Sequence, residues 1–224
     1  MSKGIRTVAD LQSYLDQERI WRLKELSILR KKMLTSGSKN AMPTEDELAL
    51  LRPCIAMIYA HWEGFVKSSA SAYLQFVSLQ RMKYSEMTHQ FLALAARRRA
   101  AELNLAGNDA DQFVVRLILE DGQERGLIPY SNGVDTQSNL WFSVFVAIFN
   151  QLGLSWRPYE LKSKMIDTKL VAKRNAIAHG KYIDVDADDA ELLFETVLTL
   201  MDEIKLQLID AAESGLYKRV GRSA

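Results

Sequence analysis

Cysteine is nearly absent: the chain has one, Cys54, which excludes a disulfide framework and a thiolate zinc site and suits a reducing compartment. Histidine is scarce as well, so a histidine-built metal centre would have to gather all of His61, His89 and His179. With 4 prolines and 11 glycines in 224 residues, breakers are too few for a fold of many short strands and turns. A surplus of one charge is missing too. Lys and Arg number 29 against 28 Asp and Glu, a formal net charge of +1, so no argument runs from overall basicity to nucleic acid. Long apolar runs are also lacking. The most apolar window, Leu140 to Leu154, is shorter than the roughly 20 residues a spanning helix needs and contains Ser143, Asn150 and Gln151. The start, Met1-Ser2-Lys3-Gly4-Ile5-Arg6, leads into a charged segment with no signal-peptide core. These absences predict a cytoplasmic chain without metal, cofactor or membrane partner.

What is present is helical periodicity. An apolar content of 48% supports a real core, and the pattern predicts an all-α bundle of about five to seven helices. Residues 1–224 read as one domain, with an N-terminal helix over 7–35 and a loop over 121–136 as embellishments. Ser36-Gly37-Ser38 ends the first helix. Pro43-Thr44 with Glu47 has the pattern of a capping box for the second. That second helix carries Leu48, Leu51, Ile55, Ile58, Trp62, Phe65, Ser69, Tyr73 and Phe76 at steps of three and four, one continuous face. Pro53 marks a kink or restart within it. Further helices are expected over 85–105, 109–120, up to Gly153 with Asp135 or Ser138 as cap, over 160–178, and over 188–213 with Leu193, Val197, Leu200, Ile204 and Leu208 inward.

Charge is segregated locally. Arg157 to Tyr182 holds seven basic and two acidic residues, net +5, whereas Asp184 to Glu203 holds eight acidic and no basic ones, net −8. Two readings stand: solvated faces that satisfy each other, or a cationic surface able to hold a polyanion.

Within the basic segment stands Lys173-Arg174-Asn175-Ala176-Ile177-Ala178-His179-Gly180. Arg-x4-His alone is a weak signal, and the adjoining Asn, the Ala-His-Gly ending and the basic approach sharpen it. At about 100° per residue, positions five apart lie about 140° round a helix, so Arg174 and His179 do not share a face, whereas Asn175 and His179 do. Arg and His converge only if the helix frays before Gly180 or a second copy of the chain approaches. The plain alternative makes His179 a favourable charge at a helix C-terminus.

The segment Arg174-Asn175-Ala176-Ile177-Ala178-His179-Gly180 resembles the signature of the HEPN superfamily, Arg, a short spacer, then His. Ile58-Tyr59-Ala60-His61-Trp62-Glu63-Gly64-Phe65-Val66-Lys67 and Asn139 to Leu154 are similar to segments of its bacterial MAE/RiboL-PSP branch, found among toxin and phage-defence genes. The resemblance covers roughly residues 10 to 210. It implies an all-α bundle that forms a homodimer with two Arg/His pairs in one cleft, and metal-independent cleavage of RNA. It makes Arg174 and His179 catalytic, Asn175 their support and Glu63 the acidic partner, with Lys173, Lys181, Tyr182 and Lys67 toward RNA. It also implies a possible antitoxin or defence-system partner protein. HEPN toxins paired with nucleotidyltransferase antitoxins have Tyr two residues after the His. Here that position is Lys181 and Tyr182 follows, which does not support regulation by nucleotidylation.

The chemistry suits the residues. RNA carries its own nucleophile in the 2′-hydroxyl, so cleavage needs a base of near-neutral pKa, which histidine supplies. It also needs a fixed cation on the phosphate, which arginine supplies as a planar fork. Plainer readings stand beside these: Glu63 as an ion pair with Lys67, Trp62 and Phe65 as core, and Arg97-Arg98-Arg99 as either a solvated face or a grip on an RNA backbone. Two other functions compete with the endoribonuclease: a non-catalytic HEPN module binding nucleotide or protein, and a helical subunit whose basic segment docks a larger complex.

Overall fold

The computed structural model describes residues 4–35, 45–131, 133–183 and 185–219. Helices α1 (Val8–Thr35), α2 (Glu45–Leu79), α3 (His89–Glu102), α4 (Gly107–Leu119) and α5 (Phe142–Gln151) are followed by a helical stretch of changing pitch. That stretch runs through a 3-10 turn (Arg157–Lys162), α6 (Ser163–Met165), a π segment (Ile166–Val171) and α7 (Ala172–Ala178). The long α8 (Ala187–Glu213) follows. The described residues contain isolated bridges, Lys83 with Arg125 and Met87 with Lys218, and no strands. No helix among them is long and apolar enough to cross a membrane.

α1, α2 and α8 pack on one another, and α2 also carries the π segment and α7. The reason lies in its stripe: Leu51, Ile55, Ile58, Trp62, Phe65, Ser69, Tyr73 and Phe76 are all buried in one core that extends from Ile5 to Tyr217. Leu48, the Ser36-Gly37-Ser38 stop and the Pro43-Thr44-Glu47 cap lie outside the residues whose side chains are described. α2 runs through Pro53 as one helix. On α8, all five apolar positions expected inward are buried.

α1 and α8 are joined across their polar edges by Arg19 with Asp202, Lys205 with Asp16 at 2.8 Å, and Arg30 with Glu191 and with Glu195, the last at 2.9 Å. Individually such pairs are worth under about 1 kcal/mol. Their consequence is for charge: much of the acidic run is consumed by α1 rather than by the basic segment. From the basic segment, Lys169 and Lys173 both meet Asp189 at 2.7 Å. Arg157, Lys162, Lys164, Arg174 and Lys181 have no carboxylate partner among the described residues.

Two expectations need correction. Neither Asp135 nor Ser138 caps α5. Asp135 accepts instead from the Gln137 N–H at 2.8 Å, and the Phe142 N–H that opens α5 is taken by Asp167 at 2.7 Å. The helix expected over 160–178 changes pitch three times. Holding Asp167 on α5 while burying Ile166, Leu170 and Val171 widens the turn at Ile166–Val171.

Candidate active site

α7 is only seven residues long, and its end is fixed by backbone bonding. His179 occupies the C-cap, Gly180 N–H bonds Ile177 O at 3.0 Å, and Lys181 N–H bonds Ala176 O at 2.9 Å. This is the paired bonding of a Schellman motif, which requires a left-handed residue after the cap. Gly180 supplies it, with φ +67°. The His179 side chain is exposed at this end. The following loop is tied back by Arg52 of α2, whose Nη2 donates to Lys181 O at 2.6 Å and whose guanidinium lies 5.8 Å from the Tyr182 ring centre. Tyr182 is 82% exposed.

Arg174 lies five residues back and turns inward. Its Nη1 donates to Asn139 Oδ1 at 2.7 Å and to Asn175 Oδ1 at 2.9 Å, and the guanidinium sits 4.8 Å from the Tyr59 ring centre. Both acceptors are neutral, so the bonds orient the charge without cancelling it. Nε and Nη2 make no bond among the described residues, which leaves one edge of the fork for an oxyanion. Behind it, the buried Tyr59 hydroxyl accepts from the Leu140 N–H at 2.8 Å. Burial pushes its pKa up to about 12; the Leu140 bond lowers it, while charge repulsion and a hydrogen bond involving Glu63 push it further up. Tyr59 thus stays protonated and serves Arg174 as a ring face and Glu63 as a polar contact.

Arg174, Asn175 and, through Tyr59, Glu63 are therefore brought together. His179 is not joined to Arg174 by any hydrogen bond within the chain, as their spacing on the helix predicts. Lys67 is exposed on α2 and makes no ion pair with Glu63 among the described residues. Lys173 is engaged by Asp189, and that contact with Lys169 and Lys173 holds the Asp189 carboxyl below the usual range. Asn139, Tyr59 and Arg52 are the contributors that no role was assigned to from sequence. Asn139 and Tyr59 were visible only as members of matching segments; Arg52 had no signal, since it acts through a backbone carbonyl 129 residues away. Among the described residues no group of three or more His, Cys, Asp or Glu side chains is placed to hold a metal ion.

Gly64 explains itself on the opposite side of α2. A Cβ there would lie 3.1 Å from Nη2 of Arg22, a guanidinium that is only 5% exposed between α1 and α2. Its Nη1 bonds Glu18 Oε2 at 2.7 Å and Glu18 O at 2.8 Å.

The fold and site together define an all-α bundle of the HEPN type, with an arginine held inward on a short helix and a histidine at its exposed end. The family model described as RiboL-PSP-HEPN matches residues 17–210. The chain belongs to that family. No curated protein and no solved structure gives a significant match.

Proposed function

We propose that the chain is a metal-independent endoribonuclease, acting as a toxin or phage-defence effector in the cytoplasm. The observation that carries this reading is the state of Arg174: a half-buried guanidinium on neutral acceptors, its charge uncancelled and one edge unbonded, five residues from an exposed histidine. In the proposed reaction His179 takes the 2′-hydroxyl proton. The oxygen attacks the adjacent phosphorus, and Arg174 stabilises the oxyanions. The 5′-oxygen leaves with a proton from the second histidine, giving a 2′,3′-cyclic phosphate and a 5′-hydroxyl.

A homodimer follows from the same geometry, since one chain supplies one exposed histidine and an arginine aimed elsewhere. Exposed Trp141, two residues after Asn139, gives that edge apolar surface for a two-fold contact. In this reading residues 1–224 act as one domain. Asn175 supports Arg174, Glu63 supports Tyr59, and Lys181, Tyr182 and Lys67 face RNA. Lys173 joins them only after release from Asp189. A partner antitoxin or defence protein would cover or trigger the same edge.

The test is incubation of the purified chain and its His179→Ala variant with total RNA, with and without EDTA. Cleavage that persists in EDTA and is lost in the variant is expected. Dependence on a divalent ion overturns the two-histidine mechanism. Intact RNA in every lane favours a non-catalytic binding module, the reading supported by the absence of an Arg174–His179 contact within one chain. A dimer of one wild-type and one His179→Ala chain separates shared from independent sites: loss of most activity is expected, and half activity contradicts a shared cleft.

A further inference from the structure

A second cationic feature lies away from this site. Arg97, Arg98, Pro129, Gly133 and Gln151 line an open groove of about 700 Å³ between α3, the 121–136 loop and the end of α5. A smaller hollow of about 260 Å³ adjoins it, lined among others by Arg98, Arg99, Glu124 and Arg125. Glu102 stands at the wall between them and bonds Arg98 at 2.9 Å, with Arg99 at 3.4 Å. Arg97 and Arg125 have no ion pair among the described residues. Four arginines against Glu102 and Glu124 leave a local net charge of +2 in a chain that is nearly neutral.

The placement is set by α5. Asn139, three residues before α5, accepts from Arg174, and Gln151, the last residue of α5, lines the groove. Gln151 is held there by donating to Gly133 O at 2.7 Å. At 1.5 Å per residue the ten-residue helix spans about 15 Å. An RNA strand laid along α5 therefore reaches the arginines of the groove a few nucleotides from the phosphate at Arg174.

We propose that this arginine groove is a second RNA-backbone site, which extends the footprint of the substrate strand beyond the cleavage site. The proposal rests on the endoribonuclease reading and concerns where the rest of the strand lies. Its chemistry is phosphate recognition by guanidinium groups, blind to sequence. Glu102 serves both Arg98 and Arg99, so one carboxylate offsets only one of two cations at the wall that groove and hollow share.

The experiment uses the full chain with His179→Ala, so that RNA is bound without being cut, and measures fluorescence anisotropy with labelled single strands. One strand covers the cleavage site alone; the other, of about 16 nucleotides, reaches the groove. Adding Arg97→Ala and Arg99→Ala should weaken binding of the long strand by roughly tenfold and lower its salt slope by about 1.4, two phosphates' worth for a single strand. The short strand should bind as before, and Arg97→Lys with Arg99→Lys should retain most of the long-strand affinity, because phosphate accepts a point charge. An unchanged melting temperature keeps folding out of the comparison. If the long strand binds variant and parent alike, the inference is overturned. If neither strand binds the parent, the inference falls together with the endoribonuclease reading.

Discussion

Two arginines pack against α2, Arg22 from α1 and Arg174 from α7, and meet opposite fates. On its α1 face Arg22 lies over the rings of Trp21 and Phe65 and is closed by the Glu18 carboxylate. On its α7 face Arg174 lies over Tyr59 and is held by two amide oxygens. Both are oriented by an aromatic ring and by hydrogen bonds. The difference is the sign of the partner. Glu18, lifted by burial yet held below its usual pKa by bonds from Ser68 and Arg22, cancels the charge of Arg22. Asn139 and Asn175 only aim that of Arg174. In this pair the charge closed by a buried carboxylate serves the structure, and the one aimed by neutral acceptors stays open to an anion that arrives later.

The largest effect expected from this contrast is at His179. As an exposed residue, its alanine variant should fold normally and lose about 10²–10⁴-fold in RNA cleavage; wild-type rates in a gel assay would remove it from the chemistry. Arg174→Ala should lose about 10²–10³-fold, and Arg174→Lys should recover little, because a point charge does not replace the fork. Arg22→Ala should do the reverse. It strands Glu18 and lowers the melting temperature by roughly 5–10 °C, while the folded fraction cleaves as before. A swap of these two outcomes would break the comparison.

Smaller effects sharpen it. Asn139→Ala should reduce kcat by roughly tenfold with little change in KM, since it misaligns Arg174 without touching substrate. Gly64→Ala should cost about 2–4 °C in thermal stability with activity intact, because the Cβ presses on the buried guanidinium of Arg22. The smallest effect is on pH dependence. Tyr59 binds its proton more tightly folded than unfolded, with its pKa raised from 10.0 to about 12. Its contribution is fully present below pH 10 and is lost as pH rises toward 12. Tyr59→Phe should therefore flatten part, not all, of the alkaline loss in a melting curve series, since burial also raises Tyr73 and Tyr159.

The long helices were legible in sequence because burial writes a period: the α2 stripe and the inward face of α8 match their burial wherever side chains are described. The motif was legible as residues at a spacing, and the helical angle already separated Arg174 from His179. The environment of Arg174 was not. Asn139 meets it across 35 residues, and no local pattern marks an amide that serves a distant guanidinium. The partners of the charge runs were hidden for a similar reason: most acidic residues of α8 that form ion pairs find their bases on α1, 161 to 183 residues away. Caps failed where a tertiary carboxylate, Asp167, displaced the local candidates.

The π segment at Ile166–Val171 has a consequence for how this chain tolerates change in length. A widened turn holds residues that a regular α-helix would place elsewhere on its circumference, so it acts as a register stop between α6 and α7. A wide turn spends about one residue more than an α turn over nearly the same rotation, so deleting one residue within it lets the stretch relax to ordinary pitch and leaves every position beyond close to its original direction. A second deletion has no such slack. It rotates every position beyond by about 100°, and Arg174 leaves the ring of Tyr59. Loss of one residue from 166–171 should therefore keep helix content and site alike, and loss of two should keep the helix content and forfeit the site.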